Sequence, residues 1–306
     1  MPTGSFKVRG ALYALSVNQA RGALATTRRA TTGEVVCAST GNHGAAVAYA
    51  AQLLGIRATI FLPGHPNPVK AARIRELGAR IVEAGADLSA AIDAAHEYAA
   101  RAPAFFLHDA SDPDVPAGTA TIGLEIVEQL PAVDVIYVPM GDTALIRGVA
   151  SAAKQHRSSI RIVGVVAERA PAYLLSWRRA QGFRLRAQNA ELRGENLLSA
   201  DSRQLKADDV VETETCDTIA DGLAIRRPLA PNVASIGELV DEMIAVSEQQ
   251  MMDAIAWLDV REQVIAEPAG AAATAAFRTR EETATTTVLL VTGRNRAPEV
   301  SARLSH

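Results

Sequence analysis

Lysine is rare in this chain. Among 31 basic side chains only Lys7, Lys70, Lys154 and Lys206 are lysines, and the rest are arginines. A primary amine can shed its proton and attack a carbonyl carbon, which a guanidinium does not do. Each lysine is therefore a candidate nucleophile, although codon usage alone can also thin out lysine. Lys7 lies in Thr3-Gly4-Ser5-Phe6-Lys7-Val8-Arg9-Gly10-Ala11, between an aromatic and a glycine-bearing turn. The plain alternative is a solvated lysine opening a helix. A second motif, Ala38-Ser39-Thr40-Gly41-Asn42-His43-Gly44, follows an expected strand and opens an expected helix. Backbone N–H groups and hydroxyls at such a junction point at an anion. The plain alternative is a strand-to-helix turn with Asn42 as N-cap. Glycines on both sides of Asn42-His43 favour close approach of the backbone to a ligand.

Other chemistries find less support. His43, His65, His96, His108 and His156 share no i,i+4 spacing and no acidic partner pattern, so no metal site is expected. There is no Ser-His-Asp arrangement, no Walker loop and no G-x-G-x-x-G after a strand. Cys37 and Cys216 stand far apart without a CxxC, which excludes a disulfide framework and a cysteine-rich zinc site. The net charge of −3 argues against gripping nucleic acid or an anionic membrane. No apolar run reaches the ~18 residues that cross a bilayer, and Met1–Ala11 holds no apolar signal region. A cytoplasmic protein with a small-molecule partner is expected. The 306 residues, 48% hydrophobic and 21% charged, suit about two domains with their own cores.

Short β-branched runs alternate with longer alanine-rich runs. Strands are expected at 34–39, 57–62, 79–83, 105–108, 133–139, 161–167 and 287–292. Helices are expected at 42–54, 67–77, 87–101, 118–130, 143–155 and 267–277. Strands separated by helical runs imply βαβ units and parallel sheets. Asp112-Pro113-Asp114-Val115-Pro116 breaks the rhythm, and a domain crossing is expected near it. The arginine-rich stretch 178–209 reads as a helix plus surface loop, and 238–259 as one or two helices entered through Gly237.

Together the two motifs resemble the signature pair S-F-K-x-R-G-A and S-x-G-N-H of the fold-type II pyridoxal-phosphate enzymes. Within these the chain is similar to the threonine/serine dehydratase and serine racemase family. The likeness runs nearly end to end. It continues through Ala117-Gly118-Thr119-Ala120-Thr121-Ile122-Gly123-Leu124-Glu125, Ile219–Ala224, Glu267–Ala272 and Thr292-Gly293-Arg294-Asn295. His43 and Val8-Arg9-Gly10 set it apart from the cysteine synthase-like branch, which carries S-x-K-D-R and S-G-N-T-G. The resemblance implies a tryptophan synthase β-like α/β fold: two three-layer αβα domains with mostly parallel twisted sheets. It places a small domain at 28–109 and a large cofactor-binding domain at 1–27 plus 110–306, in a homodimer. It implies that pyridoxal 5'-phosphate joins Lys7 through an imine, with Phe6 beside the ring and Asn42 at its hydroxyl. Ser39, Thr40, Gly41, Asn42 and His43 would hold the substrate carboxylate. Gly141, Asp142, Thr143, Ala144 and Leu145 would cradle the phosphate. Thr292 would meet the pyridine nitrogen, and Glu267 would lie near the cofactor; a helix N-terminal charge ahead of Pro268 is its plain alternative.

Three departures stand out. The family's phosphate loop P-x-G-G-G-G-L is here Pro139-Met140-Gly141-Asp142-Thr143-Ala144-Leu145, with Arg147 one turn on to offset Asp142. Thr292-Gly293-Arg294 replaces S-G-G. Lys7 stands close to the first residue, where relatives carry about fifty residues before it, so part of the large domain is expected to be missing. Metal-activated relatives carry carboxylates in V-G-V-E-P-x-x-A-D-D. In the matching stretch, Val166 and Ala172 stand where carboxylates would be, so no divalent cation is expected. The implied activity is elimination of water from L-threonine or L-serine to give a 2-oxo acid and ammonia, with Lys7 and Thr40 catalytic. The alternatives are an amino-acid racemase, in which Thr40 stands where racemases carry serine, and a non-catalytic member of the fold.

Overall fold

A computed structural model describes all residues except 25, 28–29, 32, 40, 67, 193–208, 281–284 and 305–306, and only the backbone of 26–27, 30–31, 68–69 and 183–192. Helix α1 (Lys7–Ala20) leads into β1 (Thr26–Thr27) and β2 (Ala30–Thr31), a short antiparallel pair. Then follow β3 (Glu34–Ala38), α2 (Asn42–Leu54), β4 (Arg57–Leu62), α3 (Pro68–Glu76), β5 (Arg80–Glu83), α4 (Leu88–Arg101) and β6 (Ala104–Phe106). These four longer strands form a parallel sheet in the order β5-β4-β3-β6. The rest comprises α5 (Asp114–Gln129), β7 (Val135–Pro139), α6 (Ala144–His156), β8 (Arg161–Ala167), α7 (Ala172–Leu192), α8 (Ala230–Leu239), β9 (Glu242–Val246), α9 (Glu248–Trp257), α10 (Pro268–Arg278), β10 (Thr287–Leu289) and α11 (Pro298–Leu304). Its sheet is also parallel, in the order β10-β7-β8-β9.

Burial explains the strands. Val35, Val36 and Cys37 of β3 are fully buried, and all five residues of β7 are buried. Unbroken apolar runs of this kind belong to parallel sheets covered on both faces. Helix ends are set by local chemistry. α2 stops at Gly55, whose φ of 67° is the left-handed cap that glycine adopts at no steric cost. Ser247 and Gln250 close a reciprocal capping box at the start of α9. α10 is buried from Pro268 to Ala276, and its small side chains let it lie close to β7, β8 and β9.

Two expectations are corrected. The stretch 238–259 is not simply helical: α8 ends at Leu239, and Glu242–Val246 is the strand β9, paired with β8 from Val163↔Glu242 to Ala167↔Val246. Such a short apolar run has no period of its own that separates helix from strand, and the open edge of β8 decides it. α5 starts at Asp114 rather than 118, because Asp112 Oδ1 accepts the Asp114 N–H at 2.8 Å and Pro116 sits where the first turn tolerates it.

By contact the chain divides into Met1–Thr121 and Ile122–His306. The cut lies inside α5, beyond the crossing expected near 112–116. It also differs from the expected boundaries at 27/28 and 109/110. α1 packs on α2 and, through Gly10, on α5: a Cβ there would stand 2.8 Å from Val115 Cγ1. Residues 1–27 therefore group by contact with the first sheet.

Candidate active site

In the first unit, Phe6 is the N-cap of α1 and Lys7 its first residue. Phe6 and Lys7 are half-buried, and the neighbouring Ser5 is buried with its Oγ unpartnered among the described residues. The Lys7 amine is ion-paired directly with the carboxylate of Asp109, a residue that the motif reading did not single out. Burial alone raises the pKa of the Asp109 carboxyl. The Lys7 ammonium and His43 outweigh burial and hold it well below the usual carboxylate range.

The loop after β3 lies in the same unit. Ser39 is buried, and its Oγ accepts the Gly41 N–H at 3.1 Å, which leaves the Ser39 hydroxyl hydrogen to donate elsewhere. The Gly41 N–H is thus taken up within the loop. Asn42 opens α2. His43 is turned inward: its ring Nε2 lies 3.4 Å from the carbonyl of Leu107, so Nε2 carries the hydrogen. Burial lowers the His43 pKa, the Asp109 charge works against this, and the lowering prevails. The expected role of His43 toward the substrate carboxylate falls to its backbone, while its imidazole is turned to the Leu107 carbonyl and lies near Asp109. The second glycine of the motif has a packing reason. A Cβ on Gly44 would stand 3.0 Å from Ile60 Cγ2 and 3.1 Å from Ile74 Cδ1. A Cβ on Gly41 would instead stand 3.6 Å from Lys70 Nζ, so the lysine end lies over the loop. Thr40 lies outside the described residues.

In the second unit, Gly141 to Leu145 join β7 to α6. A side chain on Gly141 would strike the carbonyl of Gly222, which explains the one glycine kept in this loop. Thr143 is the N-cap of α6, is 2% exposed, and holds φ at 70°, a left-handed conformation that a β-branched residue rarely adopts. Its Oγ1 is buried with no partner among the described residues. Buried hydroxyls are normally satisfied, so this one is available to a ligand at the start of α6. From the start of α6 this hydroxyl could donate to an oxyanion at the helix's first turn. The half-buried Asp142 is flanked by Asn232, whose Nδ2 donates to the Asp142 carbonyl at 3.4 Å. Burial and the Asp142 charge push the Tyr173 phenol up. Burial lowers the Arg147 pKa, and Tyr173 and Asp142 counter it. The basic partner expected for Asp142 thus lies within its electrostatic reach.

Glu267 is the N-cap of α10 with Pro268 at N1, as its plain alternative requires. It is 8% exposed, and its carboxylate occupies the space that a Cβ on Gly293 would take. Its N–H donates to the Gly293 carbonyl at 2.9 Å. Glu267 is thereby brought against the Thr292-Gly293 segment after β10. Among the described residues no group of three or more His, Cys, Asp and Glu side chains could hold a metal ion.

Two parallel α/β units, the first opening on a half-buried lysine paired with a carboxylate, define a class. Residues 1–293 match the family described as pyridoxal-phosphate dependent enzymes. The chain belongs to that family. Over 278 residues it is 36% identical to an L-threonine ammonia-lyase of Thermotoga maritima, covering 90% of this chain and 59% of that relative. The chain thus spans about three fifths of that relative's length. The processed form of threonine deaminase isoform 2 from Solanum lycopersicum superposes with a TM-score of 0.80 at 28% identity, covering 99% of this chain and 79% of that one. Maize serine racemase superposes with a TM-score of 0.78 at 27% identity, covering 98% and 82%. The expected family and tryptophan synthase β-like fold agree with these likenesses. The residues present fit the family's cofactor: a primary amine for its aldehyde, and an unpartnered hydroxyl on a helix start for its phosphate.

Proposed function

We propose that this chain is a threonine/serine ammonia-lyase, converting L-threonine or L-serine to a 2-oxo acid and ammonia. The observation that carries the reading is Thr143, a buried hydroxyl without a partner among the described residues at the start of α6, in a family whose cofactor bears a phosphate. Lys7 would hold the cofactor aldehyde, Phe6 would flank the ring, Asn42 would meet its hydroxyl, and Gly141 to Leu145 would hold its phosphate. When bound, the cofactor serves as an electron sink for the bonds broken at the substrate's Cα.

The chain's own residues do the rest. The Ser39 hydroxyl, Thr40 and the first turn of α2 bind the substrate carboxylate, and Lys70 adds positive charge over Gly41. Lys7 as a free amine takes the Cα proton, which weakens the bond to the β-hydroxyl. Thr292 would offer a neutral hydroxyl to the ring nitrogen of a bound cofactor, a partner that does not demand a full charge there. Glu267 braces the Thr292-Gly293 turn from below. The functional division into a small domain at 28–109 and a cofactor domain at 1–27 plus 110–306, a homodimer, and a cytoplasmic location belong to the same proposal. The similarity to threonine ammonia-lyases supports the dehydratase reading over the racemase.

The test is a substrate panel with purified chain and added pyridoxal 5'-phosphate. Release of 2-oxo acid from L-threonine or L-serine is expected. Interconversion of L- and D-serine without oxo acid would replace this reading by the racemase. Absence of any visible absorbance band would leave a non-catalytic member of the fold.

A further inference from the structure

Asp109 is the direct partner of Lys7, yet it belongs to neither motif. It follows β6, while Lys7 opens α1, and 102 positions separate them. The pair is largely removed from water, with side chains 20% and 16% exposed, so its Coulomb attraction exceeds that of a surface pair. The groups around it carry little competing charge. His43 Nδ1 lies 3.9 Å from Asp109 Oδ2 and His108 Nδ1 lies 4.0 Å from Oδ1, both too long for hydrogen bonds. His43 places its hydrogen on Nε2 toward Leu107, and His108 Nδ1 accepts the Ala110 N–H at 3.1 Å. Cys37, fully buried on β3, has its thiol pushed up by burial and by the Asp109 charge, so it stays neutral. The cluster of Lys7, Cys37, His43, His108 and Asp109 therefore centres on one cation and one anion.

We propose that Asp109 is the positioning residue of Lys7: its carboxylate aims the amine and favours a positive charge on that nitrogen at each stage of its chemistry. The proposal rests on Lys7 being the reactive amine. To join an aldehyde, the ammonium gives up a proton and the neutral nitrogen adds to the carbonyl carbon. The carbonyl oxygen leaves as water. Of the ammonium's three protons, two depart in that water and one stays on the nitrogen, so the charge beside Asp109 is the same before and after. When a substrate amine displaces Lys7, the freed amine takes the Cα proton and is again the ammonium that Asp109 stabilises. The carboxylate makes Lys7 a stronger base, and it makes the neutral, attacking amine scarcer at neutral pH.

Two readouts test this, one without cofactor. The cofactor-free chain is methylated with formaldehyde and cyanoborohydride across a pH series, and modification at Lys7 and Lys154 is read by peptide mass spectrometry. Separately, the visible band that forms with pyridoxal 5'-phosphate is followed across the same series. Asp109→Asn is expected to move both Lys7 midpoints to lower pH, so that Lys7 reacts about tenfold faster or more at neutral pH, since removing an opposite charge at this range shifts a lysine by about a unit or more. Asp109→Glu, which keeps the charge, is expected to return both midpoints toward the wild type, and Lys154 should not move. An Asp109→Asn midpoint equal to the wild type in the methylation series overturns the proposal. If wild type forms no visible band while the methylation midpoint shifts, the cofactor reading fails and Asp109 keeps its role. Should Asp109→Asn not fold, the wild-type profile decides. A Lys7 midpoint above the ordinary lysine value of about 10.4 supports the pair, and one at or below it overturns it.

Discussion

The four lysines are separated by what each one touches. Lys154 donates to both carboxylate oxygens of Asp241, at 3.0 and 2.8 Å, and to the Ile160 carbonyl at 3.3 Å, so it straps the end of α6 to the strands. Lys206 lies outside the described residues. Lys7→Ala is expected to abolish the visible cofactor band and all turnover, whereas Lys154→Ala should cost stability and leave the band; a borohydride-reducible adduct surviving in Lys7→Ala would contradict this. Lys70 is expected to matter through the loop that it covers. Lys70→Met should raise KM for the amino acid severalfold with the band unchanged, and an unaltered KM would count against it. His43 gives a pH signature. Its folded pKa lies below its ordinary value of 6.5, so its contribution to stability is complete above 6.5 and is lost as pH falls through the folded value. The Tm of the cofactor-free chain should decline on acidification below about 6.5, less steeply in His43→Asn; equal slopes would refute the assignment.

Among the elements, the start of α6 carries a conflict that binding would resolve. Thr143 combines a left-handed backbone with a buried hydroxyl that has no partner among the described residues, and each is unfavourable by about 1 kcal/mol or more. Such features persist where function needs them. Thr143→Val keeps the shape and discards the hydroxyl. It should leave the cofactor-free chain equally or more stable, because an apolar isostere removes the unsatisfied group. It should also weaken pyridoxal 5'-phosphate binding by about tenfold, the worth of one charge-assisted hydrogen bond. Fluorescence titration with the cofactor, beside thermal melts without it, checks both halves. A large loss of melting temperature would show that the hydroxyl has a partner after all. α10 makes the complementary point. Its alanine wall and Gly270 let the Gly293 turn approach, and Glu267 fills the place of a side chain on Gly293.

The molecule as a whole carries two parallel sheets in a chain of the pyridoxal-phosphate dependent enzyme family, and its ion requirement follows from the residues beside β8. Val166 and Ala172 are buried apolar residues where metal-activated relatives carry carboxylates, and Glu168 follows the end of β8 with its N–H donated to Val246. One carboxylate is too few for a hard cation that seeks six or more oxygens. Neither Mg²⁺ nor EDTA is expected to change the Tm or the turnover of the loaded chain; a clear rise in either with Mg²⁺ would show that ligands come from elsewhere.

Some of this was legible from residue order because the signals are local. Period and turn residues place α2 between Gly41 and Gly55 and mark the buried runs of β3, β4 and β8. The residue types within Ser5-Phe6-Lys7 and Ser39–Gly44 nominate an amine and an anion loop, which is as far as local order reaches. What depends on partners distant in the chain was not legible. Nothing around Asp109 announces that it meets Lys7, since 102 positions and the order of four strands intervene. Gly44 reads as a ligand glycine until Ile60 and Ile74 are seen to fill the space beside it. Glu242–Val246 is a strand only because β8 leaves an edge for it to pair with. Local sequence sets which conformations are cheap. The partner that a buried charge, a small residue or a short apolar run finally meets is set by how the sheets and helices close around it.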